Sequence, residues 1–176
     1  PLGVGALFVR RGVKLKPLMF GGGQEHGLRP GTENLPAIIG LAGALESAKK
    51  NREKESVRLS VLCDFFIDQV EKEISQAVLN GNRGQGLPNI INFSFLGAEA
   101  EFLTLQLDAA GIAVAAKSAC LKDEQESYVV KALGSPRGEA GGDSRRATSA
   151  IRFSLGRDTK RGDLEYTVKI LSNITK

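Results

Sequence analysis

Apolar residues at Leu35, Ile38, Ala42 and Leu45 recur at three- and four-residue spacing, which predicts an amphipathic helix with Pro36 tolerated in its first turn. Residues 49–58 are charged and carry no apolar face, so they read as a solvated bridge or a break between helices. Periodicity resumes at Leu59, Leu62, Phe66, Val70 and Ile74, and Cys63, beside that stripe, reads as core. From residue 77 the pattern turns to alternation. Residues 77–80 form a short strand and residues 81–86 a Gly/Asn turn. Residues 89–95 form a strand with Ile91, Phe93 and Phe95 on one face. Residues 99–110 follow as a helix with Phe102, Leu103, Leu105 and Leu107 mostly inward, stopped at Gly111. The apolar run Gly111-Ile112-Ala113-Val114 reads as a short buried strand, and residues 127–133 as a short helix stopped at Gly134. Residues 151–155 make a strand. A last helix, capped by Asp158 or Thr159, turns Leu164, Val168, Leu171 and Ile174 inward.

Ahead of the first helix, residues 5–11 read as a strand ending in a Gly12 turn, and residues 15–20 as a second extended piece. Residues 21–34 hold five glycines. Glycine loses the most backbone entropy on ordering and offers no side chain to pack, so this stretch must be a loop, and its length gives it work to do. Residues 135–150 are rich in Gly, Ser and Arg without periodicity, which predicts a mobile loop. The fold class is α/β. From about residue 53 it is a small α/β sandwich, with helices on a largely antiparallel sheet.

Composition narrows the function classes. At 176 residues the chain is about one domain, or one plus a remnant, with 41% hydrophobic and 25% charged residues as in soluble globular proteins. No apolar run is long enough for a transmembrane helix, and no signal peptide opens the chain. The first residue is Pro1, which reads as a processed chain or a fragment. Net charge is +4, concentrated between Arg137 and Arg161. Without interleaved aromatics, that cluster suits anions more than nucleic acid. Two cysteines without a CxxC pair suggest neither a disulfide framework nor a metal knuckle, and a reducing compartment fits best.

The candidate chemistry centres on Cys120. It stands at the end of Ala115-Ala116-Lys117-Ser118-Ala119-Cys120, after an apolar run and before the polar residues 121–127. A thiol rooted on a strand and free at its tip suits a nucleophile that must travel, whereas a packing cysteine has no need of that arrangement. Taken alone, the residue reads first as a half-buried free thiol at a strand end, and it is the other motifs of the chain that favour the nucleophile.

Several segments together resemble one family, the pyridoxal-phosphate-dependent cysteine desulfurases of the class V aminotransferases, with the selenocysteine lyases as close relatives. The resemblance rests on Gly3-Val4-Gly5-Ala6-Leu7-Phe8-Val9-Arg10, on Gly21-Gly22-Gly23-Gln24-Glu25 through Gly31-Thr32-Glu33-Asn34, and on Leu87 to Phe95. It continues with Gly111 to Val114 running into Ser118-Ala119-Cys120, and with Ile151-Arg152-Phe153-Ser154-Leu155-Gly156. It implies the C-terminal portion of the type I pyridoxal-phosphate transferase fold. Residues 1–52 would end the large cofactor domain, and residues 53–176 would form the small domain carrying the mobile cysteine. It implies conversion of L-cysteine to L-alanine, with sulfur received by Cys120 as a persulfide for iron–sulfur or other sulfur-compound synthesis. Arg152 would hold the substrate carboxylate, and Thr32 would reach the cofactor phosphate across a homodimer. A sulfur-acceptor or scaffold protein would be the partner, with no membrane and no nucleic acid, in the cytoplasm or an organelle matrix. The family's Schiff-base lysine would lie just ahead of Pro1, so the chain alone is expected to be inactive and without pyridoxal phosphate. His26 stands where many relatives carry arginine and receives no catalytic role, and Lys117 stands where many have glycine. Selenocysteine lyase, and a non-catalytic dimerisation or acceptor-docking module, remain alternatives at this point.

Overall fold

The computed structural model describes residues 2–116, 126–134 and 144–175, and the chain divides into two compact units, Pro1–Glu53 and Lys54–Lys176. In the first unit, no strand forms over residues 5–11 or 15–20. A strand needs a partner for its N–H and C=O groups, and none is present among the described residues: Leu7 and Phe8 stand 78% and 90% exposed. The turn at Gly12 does form, with φ of 92° and a hydrogen bond from Val13 N to Arg10 O. The glycine-rich stretch is a loop with one 3-10 turn, Glu25–Gly27. Asn34 then starts α1 (Leu35–Glu73), its Oδ1 accepting from Ala37 N.

The charged residues 49–58 do not break this helix. Lys, Arg and Glu are good helix formers, and no glycine or proline falls between residues 44 and 76, so the solvated-bridge alternative holds. The apolar stripe of its second half is buried as expected, with Phe66 and Val70 fully enclosed and Cys63 beside them.

In the second unit, β1 (Ala77–Leu79), β2 (Ile90–Phe95) and β3 (Ala150–Ser154) form an antiparallel sheet in the order β1-β2-β3. Ile91, Phe93, Phe95, Ile151 and Phe153 share the core face, which joins one apolar cluster with α1, α2 (Ala100–Ala109) and α5 (Arg161–Ile174). The rings of Phe66 and Phe153 lie 5.0 Å apart, and Phe153 meets Phe95 edge-on at 6.5 Å. In α2 Ala100, Leu103 and Leu107 are buried; Phe102 and Leu105 point outward at 57% and 68% exposure, against expectation. Four apolar residues within six positions cannot all fit one face of a helix with 3.6 residues per turn.

The opposite face of the sheet is polar and partly covered. Asn80 Nδ2 donates to Asn92 Oδ1 and to Ser94 Oγ, each at 2.7 Å, and Ser94 Oγ donates to Arg146 O at 2.7 Å. Arg146 belongs to α4 (Ser144–Thr148), a helix inside the stretch expected to be a mobile loop; residues 135–143 of that stretch lie outside the described residues. Arg146 Nη2 donates to Asn80 Oδ1 at 2.6 Å, and this partner, distant in sequence, explains a helix that periodicity could not reveal. The short helix α3 (Tyr128–Ala132) forms as expected, capped by Ser127. At α5 the cap differs from expectation. Lys160 is the first residue outside the helix and its N–H donates to Asp163 Oδ2, while Thr159 Oγ1 accepts from Gly156 N instead.

Candidate functional site

β3 positions Arg152. Antiparallel register sets it opposite Asn92, on the polar face, while its neighbours Ile151 and Phe153 go to the core. The side chain is exposed and makes no hydrogen bond or ion pair among the described residues. A guanidinium held by a rigid strand and left without a partner is available for a planar anion such as a carboxylate.

The run 111–116 does not form the buried strand expected. It is an alternately half-buried segment in which Ile112, Val114 and Ala116 pack on the core, joined to β3 by one bridge, Ala115↔Arg152. Arg152 N donates to Ala115 O at 2.7 Å, and Ala115 N to Arg152 O at 3.2 Å. Among the described residues the strand edge is used by this one bridge, which does not make a ladder. Cys120 lies outside the described residues, as do Lys117 and residues 121–125. The covalent chain still limits its reach: five residues beyond Ala115 span at most about 18 Å.

The chain after Cys120 is anchored as well. Ser127 N donates to Ala147 O at 2.9 Å, and Val130, Ala147 and Ala150 form a small buried cluster. Lys131 Nζ pairs with Glu126 Oε2 at 2.6 Å. Hydrogen bonds from Lys131 and from Ser144 hold the Glu126 carboxyl below its ordinary pKa.

Thr32 belongs to the first unit. It is exposed, and its hydroxyl has no hydrogen-bond partner among the described residues. Gly31 beside it has φ of +103°, a conformation open to glycine. The free hydroxyl on this loop fits a contact to a phosphate. No group of metal-ligating side chains is found among the described residues.

The basic cluster noted in the sequence disperses into separate tasks. Arg146 braces α4, Arg161 lies over the Phe65 ring at 4.2 Å and pairs with Glu165, and Arg152 alone of these three stands unpartnered. Sequence reasoning missed two structural devices near the site. One is Arg58, whose guanidinium donates to the carbonyls of Gly156, Arg157 and Thr159 just beyond β3. The other is the Gln24 carboxamide, which accepts from Gly31 N at 3.2 Å. Both act across sequence separations that local patterns do not encode.

An antiparallel sheet backed by three helices, a strand-mounted free arginine and a glycine-rich loop ending in Thr-Glu-Asn belong to a recognised class. Residues 1–167 match the family model described as aminotransferase class-V, and the chain belongs to that family. Over 175 residues it is 46% identical to the cysteine desulfurase IscS of Dictyoglomus turgidum, covering 99% of this chain and 43% of that protein. It is 42% identical over 175 residues to the cysteine desulfurase IscS 1 of Archaeoglobus fulgidus, covering 99% of this chain and 44% of that protein. The chain thus spans less than half the length of these curated relatives. A solved NifS-like protein superposes with a TM-score of 0.76 at 29% identity, covering 95% of this chain and 40% of that one. The NifS-like protein from Rickettsia africae gives a TM-score of 0.73 at 23% identity, covering 92% of this chain and 40% of that one, which speaks for the fold alone. The fold is therefore that of the NifS-like, pyridoxal-phosphate-dependent proteins. No helix among the described residues is long and apolar enough to cross a membrane.

Proposed function

We propose that this chain supplies the sulfur-accepting part of a cysteine desulfurase, with Cys120 as nucleophile, Arg152 as the substrate-carboxylate clamp and Thr32 as a phosphate contact. The observation that carries the reading is the Ala115↔Arg152 bridge. It ties the start of the cysteine-bearing segment to the residue that would orient the substrate, within about 18 Å of chain. The relatives named cysteine desulfurase support the same reading. In this view residues 1–52 end a large cofactor domain, residues 53–176 form the small domain, and L-cysteine is the substrate. The enzyme works as a homodimer, and a separate acceptor protein takes the sulfur onward. Activity requires a lysine supplied from outside these 176 residues, so the chain by itself is inactive.

Bound pyridoxal phosphate supplies an electron sink conjugated to the substrate. The chain's own residues do the rest. Arg152 grips the substrate carboxylate through two parallel hydrogen bonds and fixes the direction of its sulfur. The Cys120 thiolate attacks that sulfur; an S–S bond forms as the substrate Cβ–S bond breaks, and the electron pair stays with carbon. Cβ takes up a proton and alanine leaves, while Cys120 keeps the transferred sulfur as a persulfide. Thr32 Oγ1 donates a hydrogen bond to a phosphate oxygen.

The test is sulfide release from L-cysteine by the loaded enzyme. Cys120→Ala is expected to abolish it. Arg152→Lys is expected to raise KM for L-cysteine about tenfold or more, because an ammonium cannot reproduce the planar, two-point grip. Unchanged turnover in Cys120→Ala would overturn the proposal.

A further inference from the structure

The loop over residues 21–34 is held closed by one side chain. Gln24 Oε1 accepts from Gly31 N at 3.2 Å, joining residues seven apart. The carboxamide occupies the space beside Gly22: a Cβ added there would sit 2.4 Å from Gln24 Oε1 and 3.0 Å from Nε2. Gly21 faces Pro30 as closely, since a Cβ at Gly21 would come within 2.8 Å of Pro30 Cβ. The two limbs of the loop, 21–22 and 30–31, therefore touch with the Gln24 amide wedged between them.

The turn that delivers Gln24 to this place is strained. Glu25 and His26 both adopt the left-handed conformation, with φ of 49° and 58°. For residues other than glycine that conformation crowds the Cβ against the backbone and is unfavourable. The strain is sustained by bonds on either side of it: Gly27 N donates to Gly23 O and Gln24 O, and Leu28 N to Glu25 O. Beyond the wedge, Asn34 Oδ1 fixes the loop's exit by capping α1. Thr32 lies between these two fixed points, one residue after Gly31 and two before Asn34.

We infer that Gln24 is a positioning residue for Thr32: through Gly31 it sets where the free hydroxyl and the adjoining backbone meet a phosphate. This rests on the proposed reading of Thr32 as a phosphate contact. Gln24 itself does not touch the ligand. Its amide oxygen is spent on Gly31, and its effect is to spare the loop an ordering cost at the moment of binding.

Two measurements separate the parts of this inference. The first is amide hydrogen exchange at Gly31 in the isotopically labelled chain. Gln24→Leu keeps the bulk and removes the acceptor, and exchange is expected to accelerate about fivefold to tenfold, as for one lost hydrogen bond. Gln24→Glu keeps an acceptor oxygen and should restore protection. Gly22→Ala should displace the carboxamide and act like Gln24→Leu, with the double variant no worse than either single one. Unchanged exchange in Gln24→Leu would overturn the strut. The second measurement, made on the full enzyme that contains this chain, is affinity for pyridoxal phosphate against pyridoxal, which lacks the phosphate. Gln24→Leu should weaken the first severalfold and leave the second alone, with rescue by Gln24→Glu. If Thr32→Ala leaves the phosphate preference intact, the reading of Thr32 falls. If Thr32→Ala abolishes that preference and Gln24→Leu does not disturb it, the positioning role of Gln24 falls.

Discussion

Cys63 shows how far burial alone sets a thiol's character. It lies 7% exposed among the core residues of α1, and its Sγ donates to Pro88 O at 3.1 Å. Desolvation, helped by the charge of Asp64, pushes its pKa from 9.0 up to about 11. A folded-state pKa above the unfolded one means the native chain holds its proton longer. The associated stability is complete below pH 9.0 and is lost as pH rises toward about 11. In urea titrations, the native chain should lose stability across that window more steeply than Cys63→Ala does, and identical slopes would contradict the assignment. At neutral pH an alkylating reagent should leave Cys63 unmodified until the chain is unfolded. Its core role was legible in the sequence because it borders a five-residue apolar stripe. Gln24 was not legible: nothing local announces a glutamine that closes a loop seven residues long.

Helices and strands with a strong period were the readable part of the chain. The second half of α1, β2, β3 and α5 declare themselves because their apolar residues repeat at the spacing of the element that buries them. The failures have a common cause in partners distant in sequence. Residues 5–11 have strand composition but no strand to pair with, and α4 has no period but gains Asn80 and Leu79 as anchors for Arg146. The turn from β3 to α5 depends on another such partner. Arg58 of α1 donates to Thr159 O at 2.8 Å, Arg157 O at 2.9 Å and Gly156 O at 3.1 Å, and its Glu55 partner at 2.9 Å is held below the ordinary carboxylate pKa chiefly by that hydrogen bond. Arg58→Ala should lower stability by about 1–2 kcal/mol, allowing for partial exposure, as read from the denaturation midpoint. Arg58→Lys should recover less than half, because an ammonium cannot reach three carbonyls from one plane. Full recovery would show that charge alone suffices.

At the scale of the molecule the two units differ in kind. Every buried residue among those described lies at Leu59 or beyond, while the first unit exposes Leu2, Leu7, Phe8, Leu18 and Phe20 almost completely. Limited proteolysis of the chain should therefore cut first ahead of α1 and leave a resistant core from the second unit, observed by mass spectrometry of the fragments. Equal rates of digestion in both units would contradict this. The division follows the hydrophobic pattern, which is sparse in period before residue 35 and regular afterwards. What the pattern could not convey is that the apolar residues of the first unit find no buried place among the described residues. The asymmetry also sets where an apolar dye would light up on the isolated chain: on the exposed Leu and Phe side chains of the first unit, and not on the interior between Leu59 and Leu171.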